Sequence, residues 1–119
     1  MDGIQELLKS IQLYCNNKPI YIFFTAFYQK EYQKIANMIS NFDAKVFLYK
    51  YNRFDAVHPL ELKNYFRNNQ IVIYPSLEQG FIEAKQQALS NNAILICAGA
   101  FSNYIDIKRL LGEKDYDIN

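Results

Sequence analysis

Apolar residues along this chain follow two alternating rhythms. Runs of strand length, Ile20 to Ala26, Lys45 to Tyr51, Ile71 to Tyr74 and the opening of Ala93 to Arg109, are apolar at consecutive positions, whereas between them apolar residues return at helical spacing. Short continuous runs read as strands buried on both faces, and the spaced stripes read as helices that cover them.

The first helix begins at once, with Asp2 as N-cap, Gln5 three residues on, and Ile4, Leu7, Leu8, Ile11 and Cys15 on one stripe until Asn16 and Asn17 break it. A second helix carries Tyr32, Ile35, Ala36, Ile39 and Phe42. Pro59 suits the first turn of a short third helix holding Leu62, Tyr65 and Phe66. Ser76 and Gln79 form a capping-box pattern for a fourth, with Leu77, Phe81, Ala84 and Ala88 inward; a fifth, with Tyr104, Ile107, Leu110 and Leu111, stops near Gly112.

The order αβαβαβαβα predicts a three-layer, Rossmann-like α/β sandwich: a mainly parallel sheet of four strands flanked by five helices. Residues 1–112 form one domain and 113–119 a polar tail. The expected strand order is 3-2-1-4, which sets the turns at Thr25 and Gly99 side by side at a switch point, where α/β sheets bind ligands. A chain that opens on a helix is also what remains when a larger protein is cut at a strand end; the absent strand has a place between those two turns. Its loss would bare an apolar edge and predicts a weak, concentration-dependent homodimer.

Composition narrows the picture. Half of the 119 residues are apolar and 16% aromatic, enough for one packed core, and the formal charge of +1 gives no electrostatic reason to expect nucleic acid as a partner. No apolar stretch approaches the roughly 20 residues of a membrane helix, so a cytoplasmic, non-membrane protein is expected. Two cysteines, Cys15 and Cys97, and one histidine, His58, form no metal-like cluster. Cys97 reads as an inert buried thiol, and His58 before Pro59 as an N-cap or loop residue with no carboxylate or nucleophile companion.

Four segments, taken in order, resemble the C-terminal domain of folylpolyglutamate synthase and dihydrofolate synthase, in the ATP-dependent Mur ligase superfamily. Asp2-Gly3-Ile4 stands where the family's helix begins after a histidine-asparagine-proline motif that this chain lacks. Thr25-Ala26-Phe27 followed by Tyr28-Gln29-Lys30-Glu31-Tyr32 is similar to a glycine-alanine-leucine strand end and its lysine- and acid-rich continuation, with Gln29 replacing an aspartate. FDAVHPLEL fits the next loop with Asp55 in the place of an arginine. AILICAGAFSNYIDIKRLL resembles the last strand, turn and helix, with Gly99 matching, Ala100 replacing a serine and Ser102 a tyrosine.

The resemblance implies a ligase that activates a carboxylate as an acyl phosphate and captures it with the amine of glutamate, folate being the other substrate. ATP and Mg would be held mainly by a P-loop central domain, since none of the four glycines here belongs to a GxxxxGK[ST] loop. This chain would be one wall of the cleft, inactive alone and with no catalytic residue or metal ligand of its own. On that view Gly99, Ala100 and Ser102 hold glutamate, and Thr25 and Lys30 face the nucleotide. The plainer account has Gly99 fitting a tight turn, Ser102 or Asn103 capping a helix and Lys30 solvated. A reading from another class is a stand-alone Rossmann-like binding or interaction module that has lost ligase chemistry, which the changes at Gln29, Asp55 and Ala100 favour.

Overall fold

Ile20–Phe24 (β1) is buried at all five positions, and this strand is the centre of the molecule. The computed structural model of the chain describes residues 2–14, 17–29 and 31–98. Around β1 stand α1 (Asp2–Tyr14), α2 (Tyr32–Ile39), β2 (Ala44–Tyr49), α3 (Pro59–Lys63), β3 (Ile71–Tyr74), α4 (Leu77–Asn91) and β4 (Ile94–Ala98). The expected fifth helix lies outside the described residues, as does Cys15.

The four strands form one sheet in the order β3-β2-β1-β4. All three pairings are parallel, with Ile20 opposite both Ala44 and Ile94, and Val46 opposite Ile71. The expected strand order therefore holds. β1 and β4 are hydrogen-bonded neighbours, so no further strand lies between them.

Side chains of a strand alternate between faces, and here the two faces differ in kind. Ile20, Ile22, Phe24, Val46, Leu48, Ile71, Ile73, Ile94 and Ile96 make one largely aliphatic face, packed with Leu8 of α1, Ala36 and Ile39 of α2, and Leu62 of α3. Tyr21, Phe23, Phe47, Tyr49 and Tyr74 make an aromatic face, packed with Leu77, Phe81, Ala84 and Ala88 of α4. Right-handed crossovers put the helices of two steps in one direction on one face and the helix of the return step on the other, which is the division found.

Ring contacts tie the aromatic layer together: Phe23 stacks on Tyr49 at 4.2 Å and meets Phe81 edge-on at 5.6 Å. Polar groups in this layer are satisfied, Lys45 Nζ donating to Gln87 Oε1 at 2.7 Å and Asn91 Nδ2 donating to the Tyr21 hydroxyl at 2.8 Å.

Element ends follow their capping chemistry. Ser76 Oγ accepts from the Gln79 amide at 3.2 Å at the start of α4, and α4 stops at Asn92, whose φ of 53° is the left-handed conformation that asparagine tolerates. Asp2 is the first residue of α1 rather than its cap. α2 and α3 are shorter than their apolar stripes: Phe42 and Phe66 pack into the core from just beyond them, Phe66 edge-on to Phe24 at 6.0 Å.

Gly80 lets α4 lie close on the sheet. A Cβ there would stand 3.1 Å from Cε1 of Phe23, 3.3 Å from Cβ of Tyr74 and 3.4 Å from Cβ of Tyr49. Phe23 is held by its ring neighbours and has no room to withdraw, so the crowding outweighs the helix propensity gained by alanine. Gly80→Ala is expected to lower unfolding free energy by about 1–2 kcal/mol. Urea denaturation checks it, and equal or higher stability would refute the close fit.

Candidate functional site

The carboxyl ends of the strands carry the polar groups that packing does not explain. β1 runs on as Thr25-Ala26-Phe27-Tyr28, and the loop after β2 folds back over this continuation. Phe27 and Ala56 form an antiparallel bridge, the Val57 amide donates to the Ala26 carbonyl at 2.8 Å, and the Tyr28 amide donates to the Asp55 carbonyl at 3.0 Å.

Side chains lock the same corner. Arg53 Nη2 donates to Asp55 Oδ2 at 2.9 Å, and the Arg53 guanidinium lies 4.3 Å from the centroid of the Phe27 ring. Phe27 in turn stacks on Tyr51 at 6.1 Å. A cation over an aromatic face with a carboxylate on its edge is a stiff arrangement, so the loop has a defined shape.

Two buried polar atoms here lack a partner among the described residues: Oγ1 of Thr25, which is 0% exposed, and Oδ1 of Asp55, which is 7% exposed. Thr25 directly follows the central strand, between the ends of β2 and β4, which is the switch point of this sheet. A hydroxyl can donate or accept, and a carboxylate oxygen only accepts, so the interior of this corner holds unmet hydrogen-bonding capacity of both senses.

A second network braces the corner from the side. Glu61 of α3 accepts from the Tyr28 hydroxyl at 2.8 Å and the Tyr32 hydroxyl at 2.9 Å, and Tyr32 meets Tyr65 edge-on at 5.6 Å. Hydrogen bonds to the Glu61 carboxylate favour the protonated phenols: the Tyr28 pKa is raised, and that of Tyr32 is pushed up to about 12. His58 caps α3, its Nδ1 accepting from the Leu60 amide at 3.1 Å, with Pro59 in the first turn. The histidine is thus the N-cap that the sequence predicts.

Of the expected site residues, Thr25 is brought to the switch point. Lys30, Gly99, Ala100 and Ser102 lie outside the described residues. Cys97 departs from expectation, standing exposed on β4 rather than buried. Protein crowded against one side still withdraws water from its thiol and pushes the pKa up to about 11, so it remains a weak nucleophile at neutral pH. Among the described residues no three His, Cys, Asp or Glu side chains converge on a metal position. No helix among them is long and apolar enough to cross a membrane.

Sequence reading does not find the Arg53–Asp55–Phe27 corner or the Glu61 clamp. Both join residues about thirty positions apart, and only the spacing of Arg53 and Asp55 is visible locally. No family model, curated protein or solved structure matches the chain.

Two outcomes are expected. Thr25→Val keeps shape and removes an unbonded buried hydroxyl, so the free chain should gain up to about 1 kcal/mol of stability; a loss of that size in thermal or urea unfolding would mean the hydroxyl has a structural partner. The raised phenols stabilise the fold fully below pH 10, the ordinary tyrosine value, and the Tyr32 contribution is lost as pH rises through about 12. Phenolate absorbance titration should show a late-ionising tyrosine that Glu61→Ala returns towards its ordinary value, and an unchanged titration curve would contradict the clamp.

Proposed function

We propose that this chain is a Mur-ligase-type C-terminal domain of a cytoplasmic, ATP-dependent folylpolyglutamate synthase, supplying one wall of the cleft in which glutamate is joined to folate. The observation that carries the reading is convergence: three segments that resemble the family reach one edge of the sheet. Thr25 to Tyr32 leaves the end of β1, Phe54 to Leu62 folds back onto it through the Phe27–Ala56 bridge, and the strand of the last segment pairs with β1. ATP and Mg are bound mainly by a P-loop partner domain, and the chain has no activity by itself.

In this reading Thr25 and Lys30 face the bound nucleotide, the Thr25 hydroxyl, 0% exposed in the free chain, being uncovered as the cleft forms. Gly99, Ala100 and Ser102 receive the glutamate. Asp55 has one oxygen committed to Arg53 and orients that guanidinium at the cleft margin. The stand-alone binding module remains the second reading, favoured by one specific observation: where the family has an arginine, Asp55 is buried and charge-neutralised by Arg53, leaving the corner with less pull on an anion.

The test is reconstitution. Calorimetry with ATP and with glutamate, together with a ligation assay containing ATP, Mg, glutamate and folate, on the chain alone and mixed with a folylpolyglutamate synthase P-loop domain, should show glutamate ligation only in the mixture, and Thr25→Val should weaken nucleotide binding there. Ligation by the chain alone, or none in a mixture that binds both substrates, would overturn the ligase assignment. Binding without ligation would leave the module reading standing.

A further inference from the structure

The two flanks of α4 are treated differently by the rest of the fold. On one flank Gln87 bonds to Lys45 of β2, and Glu83 lies near Tyr74 of β3, whose phenol is raised by burial first and by the Glu83 charge second. The other flank, turned towards β4, carries Glu78, Ile82, Lys85 and Leu89, all exposed, at spacings that repeat along one side of a helix. Ile82 is 49% and Leu89 74% exposed, although each is a large apolar side chain. Lys85 and Leu89 also line a cavity of about 240 Å³ with Ala88, Ala93 and Leu95.

Among the described residues the strand below this flank also has an open side. Among the described residues β4 pairs only with β1, and its five residues, ILICA, carry no charge, proline or other guard against a further contact. Neither Glu78 nor Lys85 belongs to an ion pair among the described residues.

We propose that this flank of α4, with the groove beside β4, is a symmetric contact with a second copy of the chain. The charge pattern selects that occupant. Two α4 helices packed antiparallel about a two-fold axis near Ile82 set Glu78 of each copy against Lys85 of the other, with the two Ile82 side chains between them. An isologous interface requires this self-complementarity. The contact lies on the flank of α4 rather than at the Thr25–Asp55 corner and does not depend on the ligase reading.

Sedimentation velocity of the full chain, from about 1 µM to about 1 mM, should follow a monomer–dimer equilibrium. Lys85→Glu replaces two attractions by two repulsions and should raise the dimer Kd about tenfold or more. The double swap Glu78→Lys with Lys85→Glu should restore it to within about threefold, because the pairing is then re-formed in reverse. Leu89→Lys should abolish association with the far-ultraviolet circular dichroism unchanged, since the side chain is exposed. A chain that stays monomeric throughout the range, a Lys85→Glu variant that associates as before, or a double swap that remains monomeric would each overturn the proposal.

Discussion

The burial of β1 on both faces, against two chemically different layers, is the constraint on which the rest of the structure depends. Ile20, Ile22 and Phe24 meet the aliphatic layer, while Tyr21 and Phe23 meet the aromatic one. A slip of one residue would drive tyrosines into the aliphatic layer and strip Phe23 of its stacking partner Tyr49. Register is therefore specified from both sides, and with it the positions of every strand end. Full burial of side chains this large contributes roughly 1.5–3 kcal/mol each, so the central strands dominate the cohesion of the domain.

That fixed sheet turns the carboxyl edge into a defined surface rather than a set of loose loops. The loop after β2 could have run through solvent, yet it forms an antiparallel pairing with the continuation of β1, and Arg53, Asp55, Phe27 and Tyr51 close over it. Most buried polar atoms in such a structure are paired, and an unpaired one ordinarily costs about 1–3 kcal/mol. Two such atoms, on Thr25 and Asp55, lie just beneath the carboxyl edge and have no partner among the described residues. Asn69 has a similar unpaired Oδ1, but its amide nitrogen holds the Phe42 and Ala44 carbonyls at the opposite end of β2, where it acts as a brace.

The sheet was legible in the sequence because its signals are local and mutually consistent. Apolar strands of similar length, the Ser76 cap and the Pro59 start each speak through neighbouring residues, and short connections then leave few topologies. Boundaries were less legible: Ala26 and Tyr51 look like strand residues, but the chain has already turned there into the fold-back. The site was only partly visible. Thr25 could be placed by its position after a strand, whereas the Arg53 guanidinium over Phe27 and the Glu61 clamp depend on tertiary contacts that no periodicity encodes. Cys97 misled for a related reason, since an apolar strand segment reads as buried whether or not a helix covers its outer face.

Asp55 connects the physical description with the two functional readings. An arginine at that position, as the resembling family has, would place an uncompensated positive charge at the cleft margin. Here the cation comes from Arg53, two residues earlier, and one of its nitrogens is spent on Asp55 while its face is spent on Phe27. A guanidinium neutralised in this way attracts an anion less than a lone arginine does, but its orientation is better fixed. Any affinity for a phosphate or carboxylate at this edge would then rest more on directed hydrogen bonds than on net charge. A wall that must help hold a triphosphate has most use for an uncompensated arginine at this margin, so the neutralised Arg53–Asp55 pair is the feature that favours the binding-module reading over the ligase one.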